Sequence, residues 1–126
     1  MVRVARSQDC GNSPKNLFIQ ELAIALSEAD LNDVLAGVSD EIEWITAGGG
    51  AIMGKASLRA ALASRRWAPP RVVVVDHVVT HGRAGAVNGT LELPGGRRTE
   101  FCHVFEFTNA KGDCVGTIKS YFVDVG

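Results

Sequence analysis

The chain has 126 residues, of which 46% are hydrophobic and 21% are charged, and its formal net charge is −1. This length is typical of a single domain, and this composition argues against a wholly disordered chain. The small net charge gives no electrostatic reason to expect binding to nucleic acid or to an acidic membrane. The sequence contains no signal-peptide pattern and no long apolar run, so we expect a cytoplasmic protein.

The three cysteines argue against a disulfide framework and against a structural zinc site. Their number is odd, and their spacing matches no common zinc-binding pattern. We therefore predict a domain that needs neither disulfides nor a cofactor to fold.

The N-terminal half reads as an irregular segment followed by helices. Residues 1–12 are polar and have no period, so we predict a flexible N-terminal arm before a single domain over residues 13–126. Ser13 and Pro14 are typical of a helix start, and that helix should end near Glu28.

A second, short helix, a strand and a third helix should follow. Asp30 is the expected cap of the second helix, whose apolar positions are Leu31, Val34, Leu35 and Val38. Residues 41–46 alternate in part, as a half-buried strand does, and glycines 48–50 end that strand. A third helix is predicted over residues 55–65, with Pro69 and Pro70 after its end.

The second half of the chain predicts an antiparallel meander. Helices followed by hairpin-connected strands are typical of the α+β class. Because side chains alternate along a strand, Phe101, His103, Phe105 and Phe107 should share one face. The predicted strands are 72–80, 84–93, 97–108 and 114–125.

Two motifs are similar to a nucleotide-binding site and to a metal-binding site, but their neighbouring residues or spacing argue against both functions. Residues 49–55 read GGAIMGK and resemble a phosphate-binding loop, but Ala56 occupies the place of the magnesium-binding hydroxyl residue. His77 and His81 lie about 13 Å apart along a strand, too far to share one metal ion. We therefore predict neither a nucleotide site nor a metal site.

His103 is the strongest candidate for a functional side chain. It lies in the middle of a strand among phenylalanines, where partial desolvation affects its charge. It can serve as a general acid or base, or as a hydrogen-bond donor to a ligand. The alternative is a core histidine that a backbone group or a water satisfies.

The order of these elements resembles the NTF2-like superfamily, in particular its SnoaL-like and ketosteroid-isomerase-like branches. The resemblance runs from about Ser13 to Asp124 and rests on the segments ADLND (29–33), DEIEW (40–44), GK (54–55) and IKSYF (118–122). It implies an NTF2-like cone in which three N-terminal helices pack on a curved, mostly antiparallel sheet. It also implies a pocket at the open end and a homodimer formed through the outer sheet face.

The catalytic residues of the best-known branches are replaced here. The three ketosteroid isomerase positions fall on Leu22, Thr46 and His103, so the resemblance does not imply that mechanism. The last-strand acid of the limonene-epoxide-hydrolase branch falls on Ser120. In the polyketide-cyclase branch, His103 matches the histidine, and Asp76 is the best remaining carboxylate.

Three functions stay open from the sequence. The leading one is binding, with or without turnover, of a small, mostly apolar molecule in a hydrophobic cone pocket. The second is an isomerase, cyclase or hydrolase that uses His103 as its acid or base. The third is a non-catalytic dimerisation module with Asn88, Thr90, Lys119 and Tyr121 on its outer face. The predicted pocket wall is Phe18, Leu22, Trp44, Trp67, Val87, Leu91, Phe105 and Phe122, with Thr46, His103 and Ser120 as polar points.

Overall fold

The computed structural model describes residues 2–64 and 68–126, and these form an α+β fold. The helices are α1 (Pro14–Glu28), α2 (Leu31–Ala36) and α3 (Lys55–Ala63). The strands are β1 (Arg3–Ala5), β2 (Val38–Thr46), β3 (Ala51–Met53), β4 (Val72–His81), β5 (Ala84–Glu92), β6 (Arg98–Phe107) and β7 (Val115–Asp124). A short 3-10 turn over Pro94–Gly96 joins β5 to β6.

The predicted helix caps are present. The Ser13 side chain accepts a hydrogen bond from the Asn16 amide at 3.2 Å, and Pro14 occupies the first helical position of α1. Asp30 Oδ1 accepts from the Asp33 amide at 3.2 Å and begins α2. Each cap satisfies an amide that has no partner within its helix. None of the described helices is long and apolar enough to cross a membrane.

The predicted C-terminal end of the second helix was wrong at Val38. The sequence placed it on the second helix, but that helix ends at Ala36 and Val38 begins β2. Val38 pairs with Val115 of β7, whose amide donates to the Gly37 carbonyl at 2.9 Å. Pairing with a strand far along the sequence therefore outweighs the local helical spacing.

One sheet carries all seven strands of the described residues, in the order β1-β4-β5-β6-β7-β2-β3. The β1–β4 and β2–β7 pairs are parallel, and the other pairs are antiparallel. Register shifts occur in β2, in β4 and between β6 and β7. Such irregularities bend strands and increase twist, which helps a sheet to curve around helices.

The helices cover one face of this sheet, where the core lies. Helix α1 packs on β4 and β5, and α3 packs on β2. Along β6 the buried positions alternate with more exposed ones, so Phe101, His103, Phe105 and Phe107 share the inner face as predicted. Gly89, opposite Phe101 on β5, has no side chain, and a Cβ there would lie 3.0 Å from the Phe101 ring.

The N-terminal segment contains a strand where the sequence predicted only an irregular arm. Strand β1 pairs with β4, and the Arg3 amide donates to the Arg71 carbonyl at 3.0 Å. Further on, the Arg6 guanidinium donates twice to the Glu21 carboxylate, each time at 2.8 Å. Three residues are too few to show a period, and the groups that hold them are distant in sequence, so the pattern did not predict this strand.

Strand β3 was also missed. Glycines 48–50 form a turn in which the Thr46 amide donates to the Gly50 carbonyl at 3.0 Å, and β3 then returns along β2. At the end of this hairpin, Lys55 forms an ion pair with Asp40, with 3.6 Å between Nζ and Oδ1. The glycine motif is therefore a hairpin turn, strand β3 and the start of α3.

Candidate functional site

A cavity of about 620 Å³ opens between the inner face of the sheet, the C-terminal end of α1 and the β2–β3 hairpin. Its volume is within the range of small-molecule sites, and most of its wall is apolar. Its lining residues in the described parts of the chain are Leu26, Ser27, Trp44, Thr46, Gly50, Ala51, Ile52, Ala68, Pro70, Leu91, Leu93, Pro94, Arg97, Thr99, His103 and Phe122.

A chain of hydrogen bonds crosses three strands at the inner end of this cavity. Trp44 Nε1 on β2 donates to Ser120 Oγ on β7 at 2.8 Å. The same oxygen lies 2.6 Å from His103 Nδ1 on β6. All three side chains are buried, with exposed fractions of 7% for Trp44, 2% for His103 and 0% for Ser120.

The hydrogen-bond chain favours one tautomer of the His103 imidazole. The indole N–H only donates, so Ser120 Oγ is its acceptor. The serine hydroxyl has one proton to give, and His103 Nδ1 is its hydrogen-bond partner among the described residues. Donation from Ser120 to Nδ1 satisfies all three groups and places the imidazole proton on Nε2. In the described residues the His103 ring forms no second hydrogen bond, which leaves Nε2–H available to the cavity.

The surroundings of His103 disfavour its charged form. Its ring centroid lies 5.1 Å from that of Phe101, 6.0 Å from Phe105 and 5.8 Å from Phe122, with the Phe122 ring nearly perpendicular. Burial among these rings lowers the pKa of His103 from 6.5 to about 4. At neutral pH the imidazole is therefore an uncharged hydrogen-bond donor.

Five of the residues predicted for the pocket line the cavity: Trp44, Thr46, Leu91, His103 and Phe122. Ser120 lies directly behind this wall and reaches the cavity through its bond to His103. Phe122 is 42% exposed although it shares the inner face of β7 with buried Ser120, so we place it at the mouth.

Four of the predicted wall residues do not line the cavity. Leu22, Val87 and Phe105 are buried in the core, and Phe18 is partly buried against it. The Phe18 ring lies 6.3 Å from that of Phe107, near the far end of β6. The helices fill that end of the cone, so inward-facing residues there contact other side chains instead of open space. Trp67 lies outside the described residues.

Asp76, the carboxylate left over from the sequence, is exposed and lies at the irregular position in β4. It does not line the cavity. His77 Nδ1, on the next residue, lies 3.3 Å from Oδ2 of Asp9 in the N-terminal segment.

The sequence prediction missed the residues at the mouth. Arg97 and Thr99 line the cavity, and they lie two residues apart on the same face as Phe101 and His103. Extending that alternation towards the N-terminus would have found them. No sequence pattern predicts that the cavity wall includes Gly50, Ala51 and Ile52, because their position depends on the unexpected pairing of β3 with β2.

The family model for the SnoaL-like domain matches residues 19–115, more than three quarters of the chain. The chain belongs to the SnoaL-like domain family. No functionally curated protein matches it. The family match agrees with the fold, in which three helices pack on an open, mostly antiparallel sheet.

Solved structures with the same fold include a protein of unknown function and epoxide hydrolase-like enzymes. An NTF2-like protein of unknown function from Burkholderia xenovorans aligns with a TM-score of 0.73 at 19% identity, over 89% of this chain and 84% of that one. The epoxide hydrolase/cyclase-like enzyme SalBIII aligns with a TM-score of 0.69 at 15% identity, over 90% and 93%. An LEH-like epoxide hydrolase from M. tuberculosis aligns with 0.64 at 20% identity, over 86% and 82%. At identities of 15–20%, these similarities establish the fold of this chain but do not show that it catalyses the reactions of those enzymes.

Burial of His103 predicts a pH-dependent stability. Because the pKa of His103 is lower in the folded chain, unfolding takes up a proton once the pH falls below about 6.5. The stabilisation is therefore complete above pH 6.5 and is lost as the pH falls towards about 4. Over this interval the free energy of unfolding of the wild type should fall by about 3 kcal/mol more than that of His103→Phe.

Urea unfolding of both proteins across this pH range measures the difference, and His81→Phe, at the exposed end of β4, is the matched control. Equal pH dependence of the wild type and His103→Phe would show that the imidazole is not buried in its neutral form.

Proposed function

We propose that this SnoaL-like domain binds a small, mostly apolar molecule that carries an acceptor oxygen, and that His103 Nε2–H donates to that oxygen. The observation that carries the proposal is the hydrogen-bond chain from Trp44 through Ser120 to His103. It supplies one polar donor to a cavity whose wall is otherwise largely apolar. A single fixed donor in an apolar cavity favours a ligand with one polar atom in a matching position.

The geometry favours a donor over a general base. A base needs a nitrogen lone pair that faces the substrate, but in the favoured tautomer the lone pair of Nδ1 accepts from Ser120, 2.6 Å away. The low pKa of His103, about 4, further weakens the imidazole as a proton acceptor. The neutral ring can still polarise a carbonyl or an epoxide oxygen through Nε2–H.

Binding is better supported than turnover. Proton transfer in isomerisation, and water activation in epoxide opening, each require a base in addition to a donor. None of the cavity-lining residues in the described parts of the chain is a carboxylate. The names of the two epoxide hydrolase neighbours fit an oxygen-bearing apolar ligand, but this chain has Ser120 where that branch carries an acid.

Two ligands of similar size, one with and one without an acceptor oxygen, test whether His103 Nε2–H donates to the ligand. Wild-type protein should bind methyl octyl ketone about fivefold more tightly than decane, because one neutral hydrogen bond contributes about 1 kcal/mol. The preference should vanish in His103→Phe, which keeps an aromatic ring of similar size. Isothermal titration calorimetry measures both affinities, with His81→Phe as the control. Absence of binding by either compound would contradict the cavity proposal, and a preference that survives in His103→Phe would contradict the role of His103.

We also propose that two copies of the chain pair through the outer sheet face, as the family resemblance implies. This face carries exposed apolar side chains, among them Val79, Val104 and Tyr121. Asn88 lies on the same face, and its Oδ1 is buried without a hydrogen-bond partner in the described residues. The pairing that we propose therefore rests on the exposed apolar side chains, which a second copy would cover.

A charge in the middle of this face should prevent the pairing. Light scattering after size exclusion at micromolar concentration should give a dimer mass for the wild type and a monomer mass for Val104→Glu, because an unpaired carboxylate would be buried. Val125→Glu, beyond the end of β7, should remain dimeric. A monomeric wild type, or a dimeric Val104→Glu, would refute this interface.

A further inference from the structure

The mouth of the cavity carries one charged side chain among the described lining residues, Arg97. The other polar groups of the wall are uncharged at neutral pH, and several are already bonded within the protein. The Ser27 hydroxyl donates to the Ala23 carbonyl at 3.1 Å, and the Thr99 hydroxyl donates to Asp124 Oδ1 at 2.9 Å. Arg97 is thus the strongest feature of the wall that the donor role of His103 does not explain.

The local backbone directs Arg97 towards the cavity. Arg97 follows the Pro94–Gly96 turn, and its carbonyl accepts from the Leu93 amide at 2.8 Å. Its backbone is extended, with φ −72° and ψ 148°, so the alternation of β6 continues through it. Arg97 therefore shares the inner face with Thr99 and His103, whereas Arg98 begins the opposite face. Six residues of strand place it about 20 Å from His103.

The guanidinium of Arg97 has no ion-pair partner within the described residues. Asp124 lies opposite Thr99 on the neighbouring strand. It accepts the Thr99 hydroxyl and is not in ion-pair contact with Arg97. Five N–H donors are therefore open to a ligand at the entrance, in a geometry that matches a carboxylate.

We infer that the ligand of this cavity is an anionic amphiphile whose carboxylate binds Arg97 at the mouth, while its mostly apolar body, with the acceptor oxygen of the proposed function, extends inward towards His103. The inference rests on the proposed function, since it needs a cavity that accepts an apolar body. The two ends of the cavity differ in their exposure to water, as an amphiphilic ligand requires. His103 is 2% exposed, but Arg97 is exposed, and a carboxylate loses much less hydration at an exposed position than inside.

The test compares three probes of one chain length: decanoate, methyl decanoate and decanol, each below its micelle-forming concentration. Calorimetric titration of the wild type should show decanoate binding about fivefold more tightly than methyl decanoate, the size of an exposed ion pair. The difference should shrink as salt is added, because exposed charges are screened.

Arg97→Gln should bind decanoate and methyl decanoate equally, and Arg97→Lys should keep part of the preference. Arg98→Gln removes the same charge from the neighbouring position on the opposite face and should behave as the wild type does. Thermal unfolding of each variant checks that the fold is retained.

The outcomes separate this inference from the proposed function. If the ester and the alcohol bind but decanoate has no advantage, or if its advantage survives in Arg97→Gln, then the role of Arg97 is refuted and apolar binding stands. If none of the three probes binds, the apolar cavity itself is refuted as a ligand site, and this inference fails with it.

Discussion

The site depends on the burial of an imidazole that is fully hydrogen-bonded on one side and open on the other. A polar ring among three phenyl rings would be costly without a partner, and Ser120 supplies that partner at 2.6 Å. Trp44 in turn directs the serine proton, because its indole N–H occupies the serine oxygen as a donor. The result is one donor of defined position, Nε2–H, in an apolar wall.

The sheet topology makes this arrangement possible. Strand β7 lies between β6 and β2, so Ser120 contacts one side chain from each neighbour. The antiparallel register places His103 directly opposite Ser120, and the parallel register places Thr46 opposite the same serine. A shift of one residue in either pair would turn these side chains to the outer face. The register that buries the phenylalanines therefore also assembles the polar chain.

Local patterns predicted most of the elements but not the pairings between them. The Ser13 and Asp30 caps, the alternation along β6 and the inward position of His103 follow from neighbouring residues, and they were predictable. The hydrogen bond between Trp44 and Ser120 joins residues 76 apart, and no local period encodes it. The same reason explains why β1 and β3 were missed and why Phe18 and Phe105 were expected in the cavity. Alternation shows that a residue faces inward but not how far along the cone the helices fill the space.

The central claim is that His103 is neutral at pH 7, with its proton on Nε2 and Nδ1 accepting from Ser120. Long-range ¹⁵N–¹H correlation spectra of protein labelled at the histidine ring nitrogens test this most directly, with His103→Phe assigning the signal. We predict that Nε2 resonates as a protonated nitrogen and Nδ1 as an unprotonated, hydrogen-bonded one. A proton on Nδ1, or on both nitrogens, would contradict the account.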